Sequence, residues 1–237
     1  TGSGKTEVYL QAIQHTLREG KESIVLVPEI SLTPQMTERF RSRFGELVAV
    51  LHSGLSVGEK YDEWRKIQQG KVKVVVGARS AIFAPFENVG LIILDEEHDL
   101  SFKQQEGFRY HARDVALYRA HLESCPIILG SATPSIDSYA LVDQGKMKKL
   151  ELNQRAGSAI MPKIHVLDLK IAQKQHGISQ ALIQEIQKRL EKKEQVLIFL
   201  NRRGYAPVLI CDSCAWQAKC PNCDANFTLH NKPYLHL

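Results

Sequence analysis

The sequence of 237 residues lacks any long hydrophobic run. No stretch approaches the roughly 18 consecutive apolar residues that a membrane-spanning helix needs, so the sequence predicts no such span. A strong charge of one sign is also missing. The net charge of +5 permits a polyanionic partner without demanding one. Cysteine is too sparse for a disulfide scaffold. There are five cysteines, four of them in two C-x-x-C pairs, which suits a reducing compartment and a bound metal. Repeats and low-complexity tracts are absent. What remains, 43% hydrophobic and 24% charged residues, is the composition of an ordinary globular protein. The length allows one large domain or one and a half smaller ones. No initiator Met precedes Thr1. The first residues already belong to a motif, so the expectation is an internal piece of a longer chain, and a missing leader says little.

That motif is Thr1-Gly2-Ser3-Gly4-Lys5-Thr6, the last six residues of the phosphate-binding loop G-x-x-x-x-G-K-[ST]. Gly2 and Gly4 let the backbone curl so that its N–H groups, with that of Ser3, face an anion. Lys5 supplies a point charge for the β- and γ-phosphates, and the Thr6 hydroxyl suits a Mg²⁺ ligand. Apolar residues at Val8, Leu10, Ile13 and Leu17 then follow at helical spacing, which sets the anion at a helix N-terminus. A bare Gly/Ser helix cap is the alternative for the loop taken alone.

Short β-branched runs alternate with helical patterns. Strands are expected at Ser23–Val27, Leu47–Leu51, Lys73–Val76, Leu91–Asp95, Ile127–Gly130 and Met147–Leu152, and helices near 5–19, 33–44, 57–69, 111–123 and 135–144. Apolar strands between helices read as an α/β fold, a parallel sheet covered on both faces. Residues 1–153 form this lobe, which would lack its first strand, and 154–165 read as a linker. A second unit begins at 166–207 with helix Ser179–Lys193, N-capped by Ser179, and strand Gln195–Asn201. Residues 208–237 hold the cysteine cluster.

Leu91-Ile92-Ile93-Leu94-Asp95-Glu96-Glu97-His98 carries an acidic pair at the end of a buried strand, where ligands bind in open α/β sheets. Asp95 is suited to hold Mg²⁺, through water, and Glu96 to orient and deprotonate an attacking water. Gly130-Ser131-Ala132-Thr133-Pro134 closes another strand, and its small hydroxyls suit N-caps or relays toward the acidic loop. Cys211-x-x-Cys214 and Cys220-x-x-Cys223 form two-thiolate turns of the kind that grip zinc. The five residues between the pairs make a short span for one shared tetrahedral ion. Cys125 reads as core. Phe102, Lys103, Phe108, Arg109, Tyr110 and Arg113 mix aromatics with cations, the usual recipe for single-strand binding, or else the entry of a helix whose rings pack inward.

Taken together and in this order, the phosphate loop, Asp95-Glu96-Glu97-His98 and Ser131-Ala132-Thr133 resemble the motor lobe of superfamily 2 helicases. Leu26 to Gln35, Gly77 to Phe86 and Asn201-Arg202-Arg203-Gly204-Tyr205-Ala206-Pro207 narrow the likeness to the bacterial replication-restart helicases, across essentially the whole chain. The resemblance implies a RecA-like lobe, then the start of a second RecA-like lobe interrupted by a zinc-binding insertion. It implies ATP hydrolysis with Mg²⁺, 3′ to 5′ movement on DNA, and action on single-stranded and forked DNA in the bacterial cytoplasm, at the nucleoid. Primosome proteins and single-strand-binding protein are the implied partners, with no membrane role and a monomeric state. His98, Ser131 and Thr133 would couple hydrolysis to the DNA track, and Arg79 and Ser80 would touch DNA, in phosphate contacts that position without reading sequence. Phe102 to Arg113 would be the family's aromatic-rich loop. Two zinc ions are implied, one on Cys211 and Cys214 and one on Cys220 and Cys223, with the remaining ligands absent from this sequence; His230 and His236 read as surface histidines. The family's second-lobe arginine is also absent, so this chain alone is expected to hydrolyse ATP poorly and to unwind nothing. A P-loop kinase or transporter ATPase, and a nucleotide-binding zinc scaffold without turnover, are the competing readings.

Overall fold

The computed structural model describes residues 3–154, 162–168, 174–175, 178–199, 208–211 and 213–228. It divides into two compact units, Thr1–Met161 and Pro162–Leu237. The first contains a five-stranded parallel sheet of β1 (Glu22–Leu26), β2 (Val48–Leu51), β3 (Val74–Gly77), β4 (Val89–Asp95) and β5 (Ile127–Gly130), in the order β2-β3-β1-β4-β5.

The strand sequences explain the layers. Successive side chains of a strand point to opposite faces. Ile24, Leu26, Val75, Ile92 and Leu94 pack on one face and Val25, Val27, Val74, Val76, Leu91 and Ile93 on the other. Apolar residues on both faces therefore demand cover on both sides. Helices α3 (Val57–Gln68) and α4 (Ala112–Leu122) cover the first face, where Ala112, Ala116 and Ala120 of α4 are buried in the core. Helices α1 (Lys5–Arg18) and α2 (Pro34–Phe44) cover the second through Tyr9, Leu10, Ile13 and Phe40. The buried face of α1 differs from the expected one by a residue: Val8 is exposed and Tyr9 is buried.

Helix starts follow their caps. The Thr33 side chain accepts from Met36 N with Pro34 in the first turn, Ser56 and Glu59 form a capping box, and Ser135 accepts from Ser138 N at the start of α5 (Ile136–Asp143).

The expected strand at Met147–Leu152 does not form. Gly145, at positive φ, ends α5, and the amides of Lys146 and Met147 bond back to Leu141 O. Leu150 and Leu152 stay exposed without a strand partner among the described residues.

In the second unit, β6 (Lys174–Gln175) and β7 (Ile178–Ser179) pair antiparallel and lead into α6 (Gln180–Glu191), where Ser179 accepts from Leu182 N as the expected N-cap. Residues 195–199 of the expected strand Gln195–Asn201 have no strand partner among the described residues and are exposed; the rest of it lies outside the described residues, as do Arg202 and Arg203.

Candidate nucleotide site and cysteine knuckles

Helix α1 starts directly after Gly4, whose φ of 88° is in the left-handed region that glycine enters without steric cost. Its first amides are thereby turned toward the loop, and the helix N-terminus favours negative charge there. Gly2 lies outside the described residues. Ser3, Gly4, Lys5 and Thr6 line a cavity of about 650 Å³, and Asp95 and Glu96 line the same cavity.

Strand β4 carries this acidic pair to the carboxyl edge of the sheet. Lys5 Nζ donates to Glu96 Oε1 at 2.6 Å and lies 3.7 Å from Asp95 Oδ1. The backbone bends sharply there: Glu96 has φ 49°, a left-handed value rare for a residue with a side chain. Such departures cost on the order of 1–3 kcal/mol and concentrate at functional sites. The bend turns Glu96 toward Lys5, while its neighbour Glu97 points into the protein and is 1% exposed.

Sequence reasoning missed the role of Glu97. Its carboxylate accepts from Ser135 N at 2.7 Å, Ser135 Oγ at 3.1 Å and Arg113 at 3.4 Å. Arg113 also reaches Asp137 at 3.1 Å. The expected DNA cation Arg113 is therefore a structural tie among the acidic loop, α4 and α5, with its guanidinium already engaged. Phe102 is corrected likewise: it is fully buried in the core, so its ring is closed to a base.

Other expected residues lie at the surface. Phe108 is 78% exposed, and Lys103 and Arg109 are exposed beside it. Tyr110, half-buried, joins Phe83 edge-on at a ring separation of 5.1 Å and Phe108 at 6.0 Å. Ser80 is exposed. Arg79 donates to the carbonyls of Ser101 and Lys103, bracing the aromatic segment against the Gly77–Phe86 loop. Arg119, which the sequence did not single out, donates to the carbonyls of Ile82, Ala84 and Phe86 and fixes that same loop.

His98 stands between the acidic loop and the end of β5. Its Nδ1 lies 2.7 Å from Ser131 Oγ and its Nε2 3.4 Å from Thr133 Oγ1. Beneath them Tyr9, also missed, donates from its hydroxyl to Asp95 Oδ1 at 2.9 Å. Burial, then the charge of Asp95, pushes the Tyr9 phenol well above its ordinary range, so it stays protonated as a donor. The sequence reading places Val8, not Tyr9, on the apolar face of this helix.

Each cysteine pair sits at the tip of its own small hairpin. The bridge Ile210–Gln217 frames Cys211 and Cys214, and the bridge Lys219–Asn226 frames Cys220 and Cys223. Both turns repeat the same bonding, Cys211 N to Trp216 O at 2.8 Å and Cys220 N to Ala225 O at 2.9 Å. The Cys214 amide lowers the Cys211 thiol and the Asn222 amide lowers the Cys220 thiol, which favours thiolate. Among the described residues no three potential metal ligands converge, so each hairpin offers two. His230 and His236 lie outside the described residues. Cys125 packs against the core of the first unit.

The DEAD/DEAH box helicase family matches residues 1–142. The replication restart protein PriA of Bacillus subtilis strain 168 is 53% identical over 97% of this chain, and that of Haemophilus influenzae Rd is 49% identical over 97%. The chain spans 29% and 32% of the length of these two relatives. Among solved structures, RecG bound to a three-way DNA junction is 29% identical, with 61% of this chain and 18% of that one covered at a TM-score of 0.43. The chain belongs to the DEAD/DEAH box helicase family, and its relatives within it are the PriA replication restart proteins.

Proposed function

We propose that this chain carries the ATP-hydrolysing motor of a 3′ to 5′ DNA helicase that acts in the bacterial cytoplasm to restart stalled replication forks. The observation that carries the reading is the meeting of Lys5 with Asp95 and Glu96 in one cavity with Ser3, Gly4 and Thr6.

The residues fit a magnesium–nucleotide complex. Thr6 and Asp95 line one cavity, so a hydroxyl and a carboxylate are available to one cation beside a phosphate loop. Mg²⁺ bound with ATP neutralises charge that develops on the phosphate oxygens. Thr6 and Asp95 would hold it, Asp95 through water. The α1 amides and Lys5 take the β- and γ-phosphates. When Lys5 turns to phosphate it gives up Glu96, and the freed carboxylate orients a water and takes its proton. His98, hydrogen-bonded to Ser131 and Thr133, passes the change to the end of β5.

DNA is proposed to lie along Arg79, Ser80, Lys103, Phe108, Arg109 and Tyr110, with bases stacked on the exposed aromatics and cations on the backbone. Each cysteine hairpin is proposed to supply two thiolates to a zinc ion, with the other two ligands coming from elsewhere. This zinc region would be structural and serve as a docking surface for primosome partners. The scaffold alternative, which binds nucleotide without turnover, leaves Glu96 at the Lys5–Asp95 grouping without a purpose.

Unwinding by the full-length protein tests the reading. A duplex with a 3′ single-stranded tail is expected to be unwound with ATP and Mg²⁺, and one with a 5′ tail is not. Unwinding of the 5′-tailed duplex alone, or of neither, contradicts it. The 237 residues by themselves are expected to unwind neither.

A further inference from the structure

We infer that Tyr9 is the positioning residue for Asp95, its hydroxyl fixing the carboxylate that holds the magnesium of the bound nucleotide. The inference rests on the nucleotide site proposed above and adds a residue to it.

Tyr9 lies one helical turn beyond Lys5 on α1, so both side chains project from the same face. They converge on one atom. Asp95 Oδ1 accepts from the Tyr9 hydroxyl at 2.9 Å and faces Lys5 Nζ at 3.7 Å. The two contacts have different fates. Lys5 must leave for phosphate when nucleotide binds, whereas Tyr9 is 2% exposed, packed in the core under α1, and has nowhere to move. It is the hold on Asp95 that persists through the cycle.

Packing alone does not explain a tyrosine here. A phenylalanine would fill the same apolar space, and a buried hydroxyl is costly unless it is bonded. The fold also makes room for this hydroxyl. Gly130 of β5 stands directly across from Asp95 of β4. A Cβ built on Gly130 would fall 1.6 Å from the Tyr9 hydroxyl oxygen and 2.8 Å from Cζ. Any side chain at 130 would therefore expel the hydroxyl. Gly130 O in turn accepts from Glu97 N at 3.1 Å, and Ser131 follows it directly. The tyrosine hydroxyl is thus wedged between the carboxyl ends of β4 and β5, where a small shift of either strand would swing Asp95.

Tyr9 touches neither nucleotide nor metal in this arrangement; it acts through Asp95. The readout is therefore the magnesium requirement. In the full-length protein, binding of an N-methylanthraniloyl-labelled ATP is titrated with free Mg²⁺ for the unsubstituted protein, Tyr9→Phe, Gly130→Ala and Asp95→Asn. Removing a partner that orients a ligand typically weakens metal binding at least tenfold, so Tyr9→Phe is expected to raise the half-saturating Mg²⁺ about tenfold and to change Mg²⁺-free nucleotide affinity less than about twofold. Gly130→Ala, which keeps the phenol but displaces it, is expected to shift the Mg²⁺ requirement the same way. A Tyr9→Phe protein that melts like the unsubstituted one and keeps its Mg²⁺ requirement, while Asp95→Asn loses it, overturns the inference and leaves the nucleotide site standing. Should Asp95→Asn also leave the requirement unchanged, Asp95 does not serve the metal, and both the inference and the underlying site are overturned.

Discussion

Lys5 Nζ and Glu96 Oε1 lie 2.6 Å apart although 91 positions separate them in the chain. This contact joins the phosphate loop to the end of β4. It gives Glu96 a partner that a triphosphate would compete for, so that the proposed base is released by the arrival of its substrate. Lys5→Ala removes both the phosphate charge and the release. Loss of one such preorganised donor typically costs about 10²–10³-fold in turnover, and DNA-stimulated phosphate release by full-length Lys5→Ala is expected to fall by that much. Undiminished release would mean that phosphate is held elsewhere.

Glu97 is 1% exposed and pairs with Arg113. Arg113 keeps Asp137 as a partner, but removing Glu97 strips the buried Ser135 amide of its acceptor, which typically costs about 1–3 kcal/mol. Glu97→Ala is accordingly expected to lower unfolding stability in urea by about that amount, whereas Glu96→Ala, at a partly exposed and strained position, costs much less. Equal losses for the two would show that Glu97 is no more structural than its neighbour.

The aromatic segment separates into two roles. Phe108 is exposed and Tyr110 half-buried, and on the proposed DNA track these are the rings that stack on bases, where stacking contributes about 1–3 kcal/mol per base. Phe108→Ala with Tyr110→Ala is expected to abolish most DNA stimulation of hydrolysis while basal hydrolysis persists. Phe102→Ala instead opens a cavity in the core, with an expected stability loss of about 3–5 kcal/mol. Intact DNA stimulation in the double variant would remove these rings from the DNA track.

His111 caps α4 by accepting from Arg113 N through Nδ1 at 3.3 Å, which requires a neutral ring. Burial, the largest influence, lowers its pKa below the ordinary 6.5. The unfolded chain therefore binds this proton more readily than the folded one. The contribution of His111 to stability is full above pH 6.5 and declines as pH falls from there toward the lower folded value. Comparing unfolding of the unsubstituted protein and His111→Gln between about pH 5 and 8 checks the sign: the variant is expected to lose less stability on acidification. A steeper loss in the variant would reverse it.

Much of the first unit was legible because its strands carry apolar residues on both faces and most of its helices carry side-chain caps. Ser56 with Glu59, and Thr33 before Pro34, announce helix starts from local chemistry alone. The acidic pair was legible from its place at a strand end downstream of a phosphate loop. Orientation was not. Phe102 and Phe108 have the same side chain six positions apart, and only the turn of the backbone at Leu100–Phe102 sends one inward and the other out. Arg113 looked like a free cation because Glu97, Ser135 and Asp137, its partners, are distant in sequence. Tyr9 was hidden because the apolar spacing points to Val8 beside Leu10 and Ile13, and the fold buries Tyr9 in its place. Met147–Leu152 has strand-like residues, but a strand needs a neighbour to bond, and sequence does not say whether one is there.

Single-turnover hydrolysis by full-length Glu96→Gln is the most direct measurement of the claim that a triphosphate gripped at Lys5 is cleaved by the acidic end of β4. The substituted amide keeps the size of the side chain but cannot take a proton. ATP is expected to bind about as tightly as in the unsubstituted protein and to be cleaved at least about 10²-fold more slowly. Cleavage at the unsubstituted rate with ATP bound would show that Glu96 is not the base, and that the Lys5–Glu96 pair is a structural contact only.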